Sequence, residues 1–168
     1  MSKAFTSEET PEAAPLVRRP PQLAPCEVRY VTPEGLAALH AELERLREDR
    51  AEAATLPETE RAARWSDLDA RSQLVESTIA ALTVLGAEAA PEGKVAFATW
   101  VTVEDEEGRQ STWRIVGPDE ADPKRRLLSV HSPVARALLG HSSGDVVEVD
   151  RPGGRVDLTI IDVRPSPP

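Results

Sequence analysis

The amino-acid sequence predicts an α+β fold: an N-terminal antiparallel helical hairpin (a coiled coil), then a C-terminal antiparallel sheet carrying one short helix. Three observations predict it. Two apolar stripes at heptad spacing lie between residues 30 and 90, and such seams mark helices that pack lengthwise. Short β-rich runs, punctuated by Gly, Pro and acidic turns, fill residues 91–164. The length of 168 residues, 40% hydrophobic and only 4% aromatic, suits one domain or two small ones with a modest core.

Residues 1–29 hold Pro11, Pro15, Pro20, Pro21 and Pro25 with no apolar periodicity. Each proline removes a backbone donor and biases its predecessor away from helix. A disordered or polyproline-like tail is expected here, and another frayed end at 165–168. Cys26 lies in the tail and is the only cysteine, so neither an intramolecular disulfide nor a cysteine-based zinc cluster can form.

The domain of residues 30–90 opens on Thr32-Pro33-Glu34. That is an N-cap hydroxyl, a proline at the first helical position and an acid at the positive end of the helix dipole. Leu36, Leu39, Leu43 and Leu46 follow at spacings 3, 4, 3. The helix should run to about Ala54, where Thr55-Leu56-Pro57 breaks it. A second seam runs through Trp65, Leu68, Ser72, Val75, Ile79 and Leu82, with Gly86 as the expected C-cap. Nothing else in this stretch buries the two stripes, so they should bury each other.

The domain of residues 91–164 begins with a β-rich run, 95–103. A polar turn at 104–108 leads to a return strand over 110–116, and a third short strand is expected at 127–130. Ser132, Pro133 and Gly140 bracket a short helix as N-cap, first residue and C-terminal glycine. Strands over 146–149 and 156–163 complete the sheet.

The formal net charge is −9. Residues 30–92 alone carry net −7. A globally basic nucleic-acid coat is excluded, because phosphate contacts need clustered Lys and Arg. No apolar run approaches the ~18–20 residues that cross a bilayer, and the first ten residues lack the apolar core of a signal peptide. A soluble cytoplasmic protein is expected.

Catalytic signals are sparse. His40, His131 and His141 have no evident carboxylate–serine constellation around them, and neither a P-loop nor GxGxxG occurs. Acidic clusters remain. Glu58 and Glu60 fall in the expected bend, and Asp67 and Asp69 open the expected second helix. Carboxylates at an exposed tip could ligate Mg²⁺, a hard cation that takes oxygen ligands. The same acids equally suit a solvated face and a helix start favoured by the dipole.

The ordered set of motifs resembles the GreA/GreB family of bacterial transcript cleavage factors. Thr32-Pro33-Glu34-Gly35 with Leu36, Leu39, Glu42, Leu43 and Leu46 resembles the family's opening. Glu92-Gly93-Lys94-Val95-Ala96-Phe97, with Trp100-Val101, resembles its first sheet strand. Trp113-Arg114-Ile115-Val116-Gly117-Pro118-Asp119-Glu120-Ala121-Asp122 follows. Then come Ser132-Pro133-Val134-Ala135-Arg136-Ala137-Leu138-Leu139-Gly140, Gly144-Asp145-Val146-Val147 with Val149, and Pro152-Gly153-Gly154. The likeness spans roughly residues 30–164.

The resemblance implies a coiled coil followed by an FKBP-like domain. It also implies a partner, bacterial RNA polymerase, with nucleic acid met only indirectly through the elongation complex. The C-terminal domain would dock at the rim of the secondary channel, through His131, Ser132, Pro133 and Arg136. The coiled coil would enter the channel. In the family, two tip acids help hold a Mg²⁺ ion beside the polymerase's own metal, and the polymerase cleaves backtracked RNA. The chain would be a monomeric accessory factor, not an enzyme. It would have no intrinsic cofactor or metal and no membrane partner, and any Mg²⁺ would be shared with the polymerase.

The tip departs from the family pattern, Gly-Asp-Leu-Ser-Glu-Asn-Ala-Glu-Tyr. Aligned on Ile79, the tip falls on Pro57–Trp65. Glu58 then sits near the aspartate position, Trp65 at the tyrosine, and Arg61 where the family has its glutamate. Glu60 could stand in for the missing ligand, or another register could bring in Asp67 and Asp69. The first arm is shorter than the pattern by roughly eight residues, about 12 Å of helix. His131 replaces the Asp or Asn that usually precedes Ser-Pro. The reading is thus a Gre-like regulator of elongation without efficient stimulation of transcript cleavage. One alternative is a working cleavage factor using Glu58 and Glu60. Another, from the FKBP-like fold alone, is a peptidyl-prolyl isomerase, for which residues 93–168 offer only Phe97, Trp100 and Trp113 as pocket aromatics.

Overall fold

A computed structural model describes residues 28–151 and 154–167. The predictions for the rest of the Pro-rich tail, Cys26 and the Pro152-Gly153 turn fall outside the described residues.

Helix α1 spans Pro33–Ala53. Thr32 caps it as expected, its Oγ1 accepting from the Gly35 N–H at 3.0 Å. Helix α2 spans Glu58–Ala81 and packs back along α1. Leu43, Leu46 and Ala53 of α1 meet Leu68 and Val75 of α2, with Leu56 and Ile79 at the margins. This is the predicted hairpin, but its elements differ in three places. Helix α2 starts at Glu58, because Glu, Thr, Arg and Ala over 58–64 let it propagate before its apolar seam begins. Trp65 is 40% exposed rather than a core residue. Helix α2 stops at Ala81, so Leu82 leaves the seam and Gly86 does not cap it.

Leu82 instead opens strand β2, Leu82–Val84, which pairs in parallel with β1, Arg29–Val31. Arg29, assigned to the tail from sequence, is therefore an ordered strand residue. Strands collinear with an antiparallel helix pair would themselves run antiparallel. Parallel pairing means the chain turns sharply at a helix–strand junction.

The remaining strands form one sheet in the order β5-β4-β3-β7-β6. They are β3 (Trp100–Asp105), β4 (Gln110–Val116), β5 (Leu127–Ser129), β6 (Val146–Arg151) and β7 (Gly154–Arg164). The sheet is mixed: β5 pairs in parallel with β4, and the other pairs are antiparallel. Strand β3 starts five residues later than the β-rich run suggests. Ala98 adopts φ +66°, and the Thr99 hydroxyl bonds both the N–H and the carbonyl of Ala96. That local turn competes with strand geometry.

Helix α3, Pro133–Leu138, covers one face of the sheet. Ala135 and Leu138 pack there with Val101, Val103, Ile115, Val149, Leu158 and Ile160 in a core separate from that of the hairpin.

Candidate functional site

The hairpin tip is a tight bend. Ala54 ends α1 in helical conformation, and Pro57 precedes α2 in extended geometry with no side-chain cap. The bend is too short to hold Glu58 and Glu60, which lie in the first turn of α2. Acids there complement the exposed N–H groups and the helix dipole. Glu58 and Glu60 are two residues apart on a helix of about 100° per residue, so they diverge by about 200°. Glu58 instead shares its face with Arg61, 3.7 Å away, and its side chain is 90% exposed.

Asp67 and Asp69 do not open α2. They sit in its third and fourth turns, roughly 14–17 Å from its start at 1.5 Å per residue. Asp67 faces Arg71 at 4.0 Å. Asp69 is ion-paired with Arg50 at 3.0 Å and accepts from the Gln73 amide at 2.8 Å. Asp67 and Asp69, like Glu58 and Glu60, are two residues apart and so leave the helix on opposite sides; neither pair is arranged to chelate one ion. Among the described residues, no group of three or more His, Cys, Asp or Glu side chains is placed to hold a metal ion. The residues present do not fit a chelated Mg²⁺.

What does converge near the tip is cationic and aromatic. The Arg50 guanidinium lies over the Trp65 ring, 4.2 Å from its centroid. The indole N–H donates to the Arg50 carbonyl at 3.2 Å. Arg50, Arg61, Trp65, Ser66 and Asp69 line a groove of about 540 Å³. Sequence reasoning placed Trp65 in the core because its heptad position fits; its ring instead spans the two helices from outside.

The expected docking residues His131, Ser132, Pro133 and Arg136 fall at the start of α3 and just before it. The Ser132 hydroxyl accepts from the Ala135 N–H at 3.1 Å, capping α3, and Pro133 is the first helical residue. The His131 N–H donates to the Ser129 hydroxyl at 3.2 Å. Arg136 is exposed on α3. His131 also borders a groove of about 410 Å³ lined by Val28, Tyr30, Leu85, Phe97 and Pro118. His40 is exposed on α1. His141 pairs with Asp145 at 3.3 Å.

Sequence reasoning missed a polar junction between the hairpin base and the loop after β4. Thr32, only 1% exposed, gives both its donors to Glu120. Its N–H reaches Oε1 at 2.8 Å, and its hydroxyl bonds Oε2. Asp119 is paired with Arg29, both largely buried. Arg114, 12% exposed, bonds Glu34 at 3.0 Å and the Ala98 carbonyl at 3.1 Å. The Glu34 carboxyl is held below the usual carboxylate range, first by its own backbone N–H at the helix start and then by Arg114, against a raising effect of burial. The sequence signals for it are the two motifs Thr32-Pro33-Glu34-Gly35 and Trp113–Asp122, which carry no hint of contact with each other.

The chain is similar to known proteins over most of its length. A family model described as "Transcription elongation factor, GreA/GreB, C-term" matches residues 90–165. The transcription elongation factor GreB of Yersinia pestis is 37% identical over 153 residues, covering 82% of this chain and 90% of that protein. GreB of Pseudomonas aeruginosa is 35% identical over 164 residues, covering 89% and 96%. The crystal structure of GreA factor homolog 1 (Gfh1) of Thermus thermophilus matches 82% of this chain and 99% of that one, at 25% identity and a TM-score of 0.39. No helix of the described residues is long and apolar enough to cross a membrane.

Proposed function

The chain belongs to the GreA/GreB family of transcription elongation factors, and from that premise we propose that it is a monomeric, cytoplasmic accessory factor that binds bacterial RNA polymerase at the secondary channel and regulates elongation without efficient stimulation of transcript cleavage. The FKBP-like C-terminal domain docks on the channel rim through His131, Ser132, Pro133 and Arg136. The hairpin, residues 30–90, points its tip inward.

The divergence of the tip acids carries this reading. Lending ligands to a second metal needs two carboxylates aimed at one point. Glu58 and Glu60 project from opposite sides of α2, and Arg61 stands 3.7 Å from Glu58. The tip can still occupy space in a channel. Nucleic acid is then met through the elongation complex.

The test uses arrested, backtracked elongation complexes in Mg²⁺. The expected result is binding to core polymerase and altered elongation, with 3′ ends not shortened above background. Efficient shortening that disappears in the Glu58→Ala/Glu60→Ala double variant would establish the cleavage-factor alternative instead. Failure to bind core polymerase would defeat both.

A further inference from the structure

We propose that Glu120 is a positioning residue, clasping the N-terminus of α1 and fixing the direction in which the hairpin leaves the sheet. Its functional consequence rests on the polymerase reading above, but the clasp itself does not.

Both oxygens of one carboxylate are engaged by one residue. Oε1 accepts from the Thr32 N–H and Oε2 from the Thr32 hydroxyl. That hydroxyl is itself the cap of α1, accepting from the Gly35 N–H. A two-point contact resists rotation as well as translation, and here it is coupled directly to the helix axis. Glu120 is held by its own turn, its N–H donating to the Gly117 carbonyl at 3.2 Å.

Two further contacts triangulate the joint: Arg29 with Asp119, and Glu34 with Arg114. Arg29 Nε and Asp119 Oδ2 are buried without a hydrogen-bond partner, so this ion pair is an inefficient source of stability. Removing either partner would leave an uncompensated buried charge, which ties Arg29 to Asp119.

Glycine permits the approach from both sides. A Cβ on Gly35 would lie 2.0 Å from Glu120 Oε2, and one on Gly117 would lie 2.2 Å from the Tyr30 carbonyl oxygen. The apolar cores of hairpin and sheet are separate clusters; across the joint the Tyr30 ring packs on Phe97, 5.9 Å between centroids, and the polar contacts add the directional constraint. The lever is long. Helix α1 has 21 residues, about 31 Å at 1.5 Å per residue, so a 10° tilt at the base moves the tip by about 5 Å. Misplacements of about 1 Å already matter to a reacting centre.

The test places spin labels at Ala63→Cys near the tip and Asp157→Cys on β7, in a Cys26→Ser background, and measures the distance distribution. A single narrow distribution is expected. Glu120→Ala and Thr32→Val should each broaden it several-fold, whereas Thr32→Ser, which keeps the hydroxyl, should leave it narrow. On polymerase, Glu120→Ala should bind within twofold of the parent yet lose tenfold or more of its effect on elongation at saturating concentration. Distributions for Glu120→Ala and Thr32→Val that superimpose on the parent would overturn the proposal. So would binding that falls in parallel with the effect. If the parent does not bind polymerase at all, the polymerase reading fails and the distance measurement still decides the clasp.

Discussion

Truncating Leu46 should loosen the hairpin and leave the sheet intact. Leu46 is 2% exposed and sits among Leu43, Ala53, Leu68 and Val75, a cluster distinct from that of the sheet. Burying a leucine contributes about 1.5–3 kcal/mol, and a cavity left by Leu→Ala raises the total loss to about 2–5 kcal/mol. The hairpin cluster is thin and partly open, with Ile79 and Leu56 free to close in, so we take about 3 kcal/mol. At about 1.4 kcal/mol per factor of ten, amide protection in α1 and α2 should fall about a hundredfold in Leu46→Ala. Native-state hydrogen exchange reads this residue by residue. Amides of β3, β4 and β7 should keep their protection within twofold. A drop of equal size in both regions would refute the reasoning, because it would mean that hairpin and sheet open as one cooperative unit.

Gly117→Ala brings a Cβ within 2.2 Å of a backbone oxygen that cannot rotate away; we expect about 1–3 kcal/mol of destabilisation, seen as a lower denaturant midpoint. Ser132→Ala removes the cap of α3 and should cost about 1 kcal/mol in the same measurement. Asp105 is held below the usual carboxylate range, chiefly by the Arg109 N–H and then by its guanidinium and the Glu107 N–H, against a raising effect of burial. A depressed folded pKa means its contribution is complete above the ordinary carboxylate pKa and is lost as pH falls through the depressed value. The Arg109 amide shift, which reads Asp105 through its hydrogen bond, should therefore move only once the pH falls below the ordinary carboxylate pKa. Asp105→Asn should abolish that transition, and a turn that titrates identically in the variant would contradict the assignment.

The hairpin was legible because its information is local. Heptad leucines, the Thr32-Pro33 start and the Pro57 break each speak within a few residues. So were the strands over 110–116 and the capped helix after Ser132. Misread elements had a competing local or distant cause. Residues 58–64 carry no apolar periodicity, so the pattern alone starts α2 late. Thr99 folds back on Ala96 where the apolar run suggests strand. Strands β1 and β2 have three residues each and find each other 53 positions apart in sequence. At the tip, the Arg61 assignment rests on the resemblance alone. That Glu58 and Glu60 diverge needed the helix boundary. The Thr32–Glu120 contact, 88 residues apart, carries no periodic signature at all.

The parallel pairing of Arg29–Val31 with Leu82–Val84 makes the hairpin an excursion whose entry and exit are tied side by side. Its length is therefore free to vary without disturbing the sheet, subject to one rule. Both arms must change together, and by whole heptads, if the leucine seam is to stay in register. Reach is quantised in steps of about 10 Å per heptad. An insertion in only one arm would turn an apolar face outward rather than lengthen the spike.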